Sequence, residues 1–158
     1  MKKQFLTIAA FVALAFAMLP SSALAGNTVD TNSLVGAQGY DLVSYHSGTP
    51  QKGTGSHLAE HNGVTYIFAS EANKEAFEAS PAAYIPAFGG YCAYAVSQGY
   101  TASGDPKAWK IVDDKLYVNY SPAVKEKWVK DIPKFIADAN NNWKNLADKA
   151  EESRKDKK

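Results

Sequence analysis

The chain has 158 residues, with 17 lysine and arginine side chains against 16 aspartate and glutamate side chains, a formal net charge of +1 at pH 7. Hydrophobic residues make up 46% of the chain, which is enough to build the core of one domain. A chain this close to neutrality lacks the basic excess that neutralises phosphates, so nucleic acid is excluded as an expected partner.

The first 25 residues have the features of a secretory signal peptide. Lys2 and Lys3 precede an apolar run from Phe5 to Leu19, and Ala23-Leu24-Ala25 is a small-x-small cleavage signal. The apolar run has roughly 15 residues, whereas a membrane span needs about 20. No cysteine follows the cleavage signal directly, so we expect no stable membrane anchor.

These boundaries divide the rest of the chain into three parts. We expect a flexible leader at residues 26–34, one domain at residues 35–150 and a charged tail at residues 151–158. The protein is therefore predicted to be periplasmic or secreted.

The strand predictions rest on hydrophobic patterns around two turns. The dipeptide Asn62-Gly63 is typical of a two-residue hairpin turn, and residues 113–115 are predicted to form the second turn. Residues 40–45 are aromatic and β-branched enough for a short strand or a turn. The four hairpin strands are predicted at residues 57–61, 64–68, 109–112 and 116–120.

The helix predictions rest on capping residues. Ser70 is placed to cap a helix, Pro81 to open another turn, and Ser121-Pro122 to begin a third helical segment. Pro133 predicts a break near Asp131, followed by a long amphipathic helix that frays towards its charged end. The predicted fold class is α+β, with small β-hairpins packed against helices and a long C-terminal amphipathic helix.

Cys92 is the only cysteine in the chain, and it follows the pair Gly89-Gly90. A short helix is predicted from Tyr91 to Gln98, so the thiol would lie in its first turn, where the helix dipole favours thiolate. An unpaired thiol in an oxidising compartment is inert and buried, bound to a metal, redox-active, or half of an intermolecular disulfide. Four tyrosines are candidates to surround it: Tyr40, Tyr45, Tyr91 and Tyr94.

Several motifs resemble the YHS domain family. Tyr66-Ile67-Phe68-Ala69-Ser70, Phe77 and Pro81-Ala82-Ala83-Tyr84 are similar to its aromatic strand, Ser-capped helix, Phe and Pro-x-x-Tyr. A longer series resembles the secreted YHS-domain subfamily, which includes members with selenocysteine at the place of Cys92. Its segments are Gly39-Tyr40-Asp41, Gly89-Gly90-Tyr91-Cys92-Ala93, Asp105-Pro106-Lys107-Ala108-Trp109 and Leu116-Tyr117-Val118-Asn119-Tyr120. The resemblance covers about residues 35–146.

The resemblance implies metal binding, because the wider family is thought to bind metals through several cysteines. At the matching positions this chain has Ser44, Ala69 and Asn73. A zinc site of four thiolates is therefore excluded by the cysteine count.

The remaining candidate ligands are Cys92 and three histidines. His57 and His61 are four residues apart on a predicted strand, about 13 Å from each other, so we do not expect them to share a metal. His46 is the better nitrogen ligand, and Asp41 would either accept loop hydrogen bonds, orient an imidazole or bind the metal itself.

Two functions from different classes follow. In the first, which the wider family favours, the protein is a periplasmic copper-type metal-binding protein, with Cys92, His46 and Asp41 holding copper or zinc and catalysing nothing. In the second, it is a thiol-based redox protein or sensor without a cofactor, in which Cys92 is the catalytic group and a thiol-reducing partner restores it. A third interpretation is a binding domain in which Cys92 is inert.

Overall fold

The computed structural model describes residues 36–155 of the chain. The predicted signal peptide and leader lie outside this range. The strands and helices are β1 (Leu58–His61), β2 (Val64–Ile67), α1 (Glu71–Ala79), α2 (Pro81–Tyr84), α3 (Ala93–Ser97), β3 (Asp105–Val112), β4 (Lys115–Asn119), α4 (Pro122–Trp128) and α5 (Ile132–Lys155). The α+β prediction is confirmed, with two small antiparallel hairpins and a long C-terminal helix.

The first hairpin forms around the predicted Asn62-Gly63 turn. Strands β1 and β2 pair antiparallel, with His61 opposite Val64. Asn62 and Gly63 both have positive φ, 52° and 72°, as a two-residue turn that matches the strand twist requires. The prediction of this hairpin is confirmed, although β1 begins one residue later than expected, after His57.

The second hairpin is longer than predicted. Strand β3 begins at Asp105, and its pairing with β4 shifts register between Asp105 and Trp109. The turn residues Asp113 and Asp114 have positive φ, 48° and 57°, which aspartate tolerates better than most residues. The additional strand residues were missed because Pro106 lacks a backbone N–H and reads as a loop signal.

The helix caps follow the predictions. Ser70 Oγ accepts a hydrogen bond from the Asn73 backbone N–H at 3.2 Å, and Ser121 Oγ accepts one from Val124 at 3.3 Å. A short 3-10 turn at Val129–Asp131 separates α4 from α5, so the predicted break near Asp131 is confirmed. Helix α5 continues to Lys155, beyond the point where fraying was expected. No helix among residues 36–155 is long and apolar enough to cross a membrane.

Two buried clusters form the core. The first joins the 40–47 segment, the first hairpin, α1 and β4, and the second joins α3, β4, α4 and α5. Members of the first cluster are Leu42, Tyr45, Ala59, Tyr66, Phe68, Phe77 and Leu116. Members of the second are Phe88, Ala93, Val96, Tyr117, Trp128 and Ala139. The chain segment that carries Cys92 therefore packs at the second cluster.

Candidate functional site

Cys92 is the N-cap residue of α3 rather than a residue inside its first turn. The helix begins at Ala93, and Cys92 has non-helical dihedral angles of φ −57° and ψ 115°. Its Sγ accepts a hydrogen bond from the Ala95 backbone N–H at 3.4 Å, the contact that a serine oxygen makes at this position. Its own N–H donates to the Ala102 carbonyl at 2.9 Å. The sulfur is thus held against the start of the helix, and the predicted helix of residues 91–98 is shortened at both ends.

Asn119, the last residue of β4, lies beside the sulfur. Its Oδ1 accepts a hydrogen bond from the Tyr94 N–H at 3.2 Å, and the Cys92 thiol points towards the same oxygen at 3.8 Å. The side chain is fully buried. Its Nδ2 has no hydrogen-bond partner among residues 36–155. A buried amide N–H group without a hydrogen-bond partner lowers the free energy of unfolding.

Helix α5 holds the other end of α3. Asn142 Nδ2 donates to the Val96 carbonyl at 2.9 Å and to the Ser97 carbonyl at 3.0 Å. Both carbonyls belong to the last turn of α3, and the Val96 carbonyl also accepts the Gly99 backbone N–H at 3.0 Å. The short helix that carries Cys92 is therefore fixed at its N-terminus by β4 and at its C-terminus by α5.

A surface pocket of about 300 Å³ lies over the sulfur. Cys92 contributes to its lining although only 1% of the residue is exposed. Tyr100 and Tyr120 line the pocket with large exposed areas, and Lys127 is the one charged residue in its lining within the described part of the chain. The remaining lining residues are Tyr94, Ala95, Ala102 and Val124. The surroundings of the thiol are therefore mainly aromatic and aliphatic.

Asp41 is fully buried and lies at the junction of the 40–47 segment with the end of β2. Its Oδ1 accepts from the backbone N–H groups of Val43 and Ser44, at 2.9 and 3.2 Å. Its Oδ2 accepts from the Ala69 N–H at 2.9 Å and from Asn73 Nδ2 at 2.6 Å. Both oxygens are occupied by protein donors, which is the structural role considered above for Asp41.

The candidate metal ligands do not form a common cluster. Within residues 36–155 no three His, Cys, Asp or Glu side chains come together as a metal-binding group. His46 is exposed on a 3-10 turn, and its ring packs edge-on against Tyr84 at 5.2 Å. His57 pairs with Glu71 at 3.0 Å, and His61 lies 3.1 Å from the Asn62 side chain. His57 and His61 thus have separate partners.

Of the four tyrosines expected around the thiol, Tyr94 lines its pocket. Tyr45 and Tyr40 belong with the first core cluster, and the Tyr45 hydroxyl donates to the Pro106 carbonyl at 2.9 Å. Burial raises the pKa of Tyr45 well above its usual value, with smaller contributions from Tyr40 and Asp105. Tyr91 packs against Trp143. The expected ring of phenols around Cys92 is therefore reduced to one member of the four.

Neither Asn119 nor Asn142 carries a sequence signal that marks it as a residue of the site. Asn119 ends the apolar run Leu116-Tyr117-Val118, and a polar residue there reads as the end of a strand. Asn142 stands in a run of three asparagines that reads as the polar face of a helix. A pattern in one element does not show which residue of another element it will meet.

The fold and this site define a small α+β protein with one buried cysteine at the N-cap of a short helix. No family model matches the chain, and no similar chain was found among curated proteins or solved structures. Membership of the secreted YHS-domain subfamily stays a prediction, based on the motifs quoted above.

Proposed function

We propose that the protein is a thiol-based redox protein in which Cys92 is the group that is oxidised. The observation that carries the proposal is the position of Cys92, whose Sγ accepts the Ala95 N–H at the N-cap of α3 and which is one of the residues that line a surface pocket. The Ala95 N–H donates to the sulfur, and the thiolate is the form of a cysteine that reacts with peroxides.

The chemistry has two stages. The thiolate attacks an oxygen of a hydroperoxide, the O–O bond breaks, and Cys–SH plus ROOH become Cys–SOH plus ROH, so that sulfur loses two electrons. A second thiol then displaces water from the sulfenic acid and forms a mixed disulfide. A further thiol releases Cys92 and leaves with the second one as a disulfide. Because Cys92 is the only cysteine in the chain, both thiols belong to an external reductant.

The pocket supports an organic hydroperoxide as the oxidant. Three tyrosines, two alanines and Val124 form most of its lining, which suits an aromatic or branched apolar group better than it suits water. The expected periplasmic or secreted location is also one in which thiols meet oxidants.

Metal binding by Cys92, His46 and Asp41 stays a prediction with less support. The carboxylate oxygens of Asp41 are already engaged by four protein donors, and His46 contacts Tyr84 rather than the thiol. We therefore favour the redox proposal and treat metal binding as an outcome of its test.

The test measures sulfenic acid at Cys92. Reduced protein is treated with cumene hydroperoxide or hydrogen peroxide, the sulfenic acid is trapped with dimedone, and the adduct is located by mass spectrometry. We expect the dimedone adduct to form at Cys92 in folded protein, and to form faster with cumene hydroperoxide than with hydrogen peroxide, because the pocket lining is mainly aromatic and aliphatic. Cys92→Ser should give no adduct.

Two results would overturn the proposal. One is a folded thiol that reacts more slowly than the unfolded thiol with both peroxides, which would make Cys92 an inert core residue. The other is tight binding of one equivalent of Cu(I) or Zn(II) that is weakened by His46→Ala, without any peroxide reaction, which would support the metal hypothesis. Gln51→Ala, a change at an exposed residue near His46 in the chain, is the control for the histidine variant.

A further inference from the structure

A second and larger cavity, of about 400 Å³, lies between the first hairpin and the Gly89-Gly90 turn. We infer that it binds an uncharged small molecule that carries a flat ring. Its volume falls in the range of about 300 to 1,000 Å³ that is usual for ligand pockets. It shares no described lining residue with the pocket over Cys92, so this inference does not depend on the proposed redox function.

The lining of the cavity argues for a neutral ligand. None of its sixteen described lining residues is Asp, Glu, Lys or Arg, and the one lining imidazole, His61, lies 3.1 Å from the Asn62 side-chain amide. Charged residues make up 21% of the chain, so about three would be expected in a wall of average composition. A charged ligand would lose water here without gaining an opposite charge, which is costly.

One wall of the cavity is bare backbone. Gly89 and Gly90 have φ of 60° and 81°, and a Cβ added to Gly90 would meet no atom within 4 Å. Gly104, on the neighbouring segment, has no room for a side chain, because a Cβ there would strike Val118 and the Gly90 carbonyl. With no side chains between the cavity and the peptide planes, a flat ring can approach the backbone closely.

The other lining residues supply both buried apolar surface and exposed polar groups. Tyr66, Pro106 and Val118 are buried lining residues, whereas Asn62 and Ser103 are exposed. This arrangement holds the apolar body of a ligand inside and leaves hydrogen-bonding groups at the entrance to orient it.

The walls are tied together by contacts between distant segments. Gln38 Nε2 donates to the Gly104 carbonyl at 3.2 Å, and Lys52 Nζ donates to the Gln38 carbonyl at 2.8 Å. Ala37 and Gln38 have positive φ, 51° and 52°, a conformation that costs free energy in residues other than glycine. The cavity is therefore a formed feature of the fold and does not require a ligand to create it.

The test uses two probes that differ in charge, indole and indole-3-acetate. Each is titrated into nitrogen-15-labelled full-length protein, and backbone amide shifts are followed by NMR. We expect indole to shift the amides of Gly89, Gly90 and Gly104 and to bind at least tenfold more tightly than indole-3-acetate. Ser103→Trp adds bulk at the entrance and should weaken indole binding at least tenfold, whereas Thr101→Trp, an exposed change in the same loop outside the cavity, should not.

Three results would overturn the inference: shifts confined to other parts of the protein, equal binding of both probes, or equal effects of Ser103→Trp and Thr101→Trp. The dispersion of the amide spectrum shows that each variant is folded. Peroxide reactivity of Cys92 is measured on the unmodified protein with and without indole, and it should be unchanged by indole. A failure of the ligand-binding inference can thus be distinguished from a failure of the redox proposal.

Discussion

Asp41 and Asn119 are both fully buried polar side chains, but their hydrogen-bonding states differ. Asp41 accepts four hydrogen bonds, from Val43, Ser44, Ala69 and Asn73. Asn119 uses its oxygen and leaves its Nδ2 without a partner in the described part of the chain. A buried polar group with hydrogen-bond partners is compatible with a stable fold, whereas one without a partner lowers its stability. At the scale of single residues, Asp41 is therefore structural and Asn119 belongs to the candidate site.

Replacing Asp41 tests the first assignment. Asp41→Ala should lower the free energy of unfolding by about 3 to 5 kcal/mol, because four buried or partly buried donors lose this acceptor. Urea denaturation followed by circular dichroism measures the effect. Asp138→Ala, which removes an exposed ion pair with Lys134, is the control and should cost no more than about 0.5 kcal/mol. A stable Asp41→Ala protein that has lost metal affinity would instead support the role of Asp41 as a ligand.

At the scale of elements, the position of the thiol depends on a helix of five residues, α3. A helix this short is marginal alone, so its neighbours must stabilise it. Helix α5 packs along it, and Asn142 binds the carbonyls of Val96 and Ser97 at its end. The long C-terminal helix therefore has a direct part in holding the segment that presents Cys92.

Loss of the Asn142 contact should expose the thiol more often. Asn142→Ala removes two hydrogen bonds and should lower the local opening free energy by about 1 kcal/mol, which raises the labelling rate of Cys92 about fivefold. The rate is measured with a small thiol reagent in folded protein. Asn141→Ala changes the exposed neighbouring residue and serves as the matched control. Equal rates in the two variants would show that α3 does not depend on this contact.

At the scale of the whole molecule, each of the two core clusters contains a buried tyrosine with a raised pKa. Tyr45 lies in the first cluster and Tyr117 in the second. Burial raises the pKa of both phenols, and Asp113 adds to the effect at Tyr117. In the folded protein each of these phenols keeps its proton at pH values where the same phenol in the unfolded chain loses it. Both tyrosines therefore make the free energy of unfolding decrease at alkaline pH.

The free energy of unfolding should fall as pH rises above about 10, where tyrosine in the unfolded chain ionises. Below that pH both states keep the proton, and the stabilisation is fully present. The contribution of Tyr45 to the slope should be up to about 1.4 kcal/mol per pH unit. Urea denaturation between about pH 8 and pH 11 measures it.

Tyr45→Phe should flatten this alkaline decrease and also cost about 1 kcal/mol near neutral pH, because the hydrogen bond to the Pro106 carbonyl is lost. Tyr120→Phe is the control, since Tyr120 is 61% exposed. An alkaline slope that is the same in Tyr45→Phe and in the unmodified protein would contradict the assignment.

Local features of the fold were predictable because their causes lie within a few residues. Asn62-Gly63 specifies a hairpin turn through its positive φ values, and Ser70 and Ser121 satisfy N–H groups three residues ahead of them. The break before α5 follows from Pro133, which cannot extend a preceding helix. These elements, and the α+β class that follows from them, are readable from the sequence alone.

The candidate site was predictable only in part. The sequence singles out Cys92 because it is the one cysteine, and it singles out the glycine pair before it. It does not show that Asn119, 27 residues further along the chain, meets the sulfur, or that Asn142 secures the same helix. It also does not show that Asp41 is fully occupied by hydrogen bonds from segments 28 and 32 residues away. Such contacts arise from how elements pack, and several packings are compatible with one pattern of caps and turns.

By itself the sequence determined where this protein turns, where its helices begin, and that one thiol is the candidate reactive group. Tertiary structure alone decided that this thiol caps α3 at the base of an apolar pocket, and that a separate, uncharged cavity forms behind the glycine turn. The physical reason is how far apart along the chain the interacting residues lie. Turns and caps are satisfied by hydrogen bonds between near neighbours, whereas a pocket is the space left where distant segments fail to fill it.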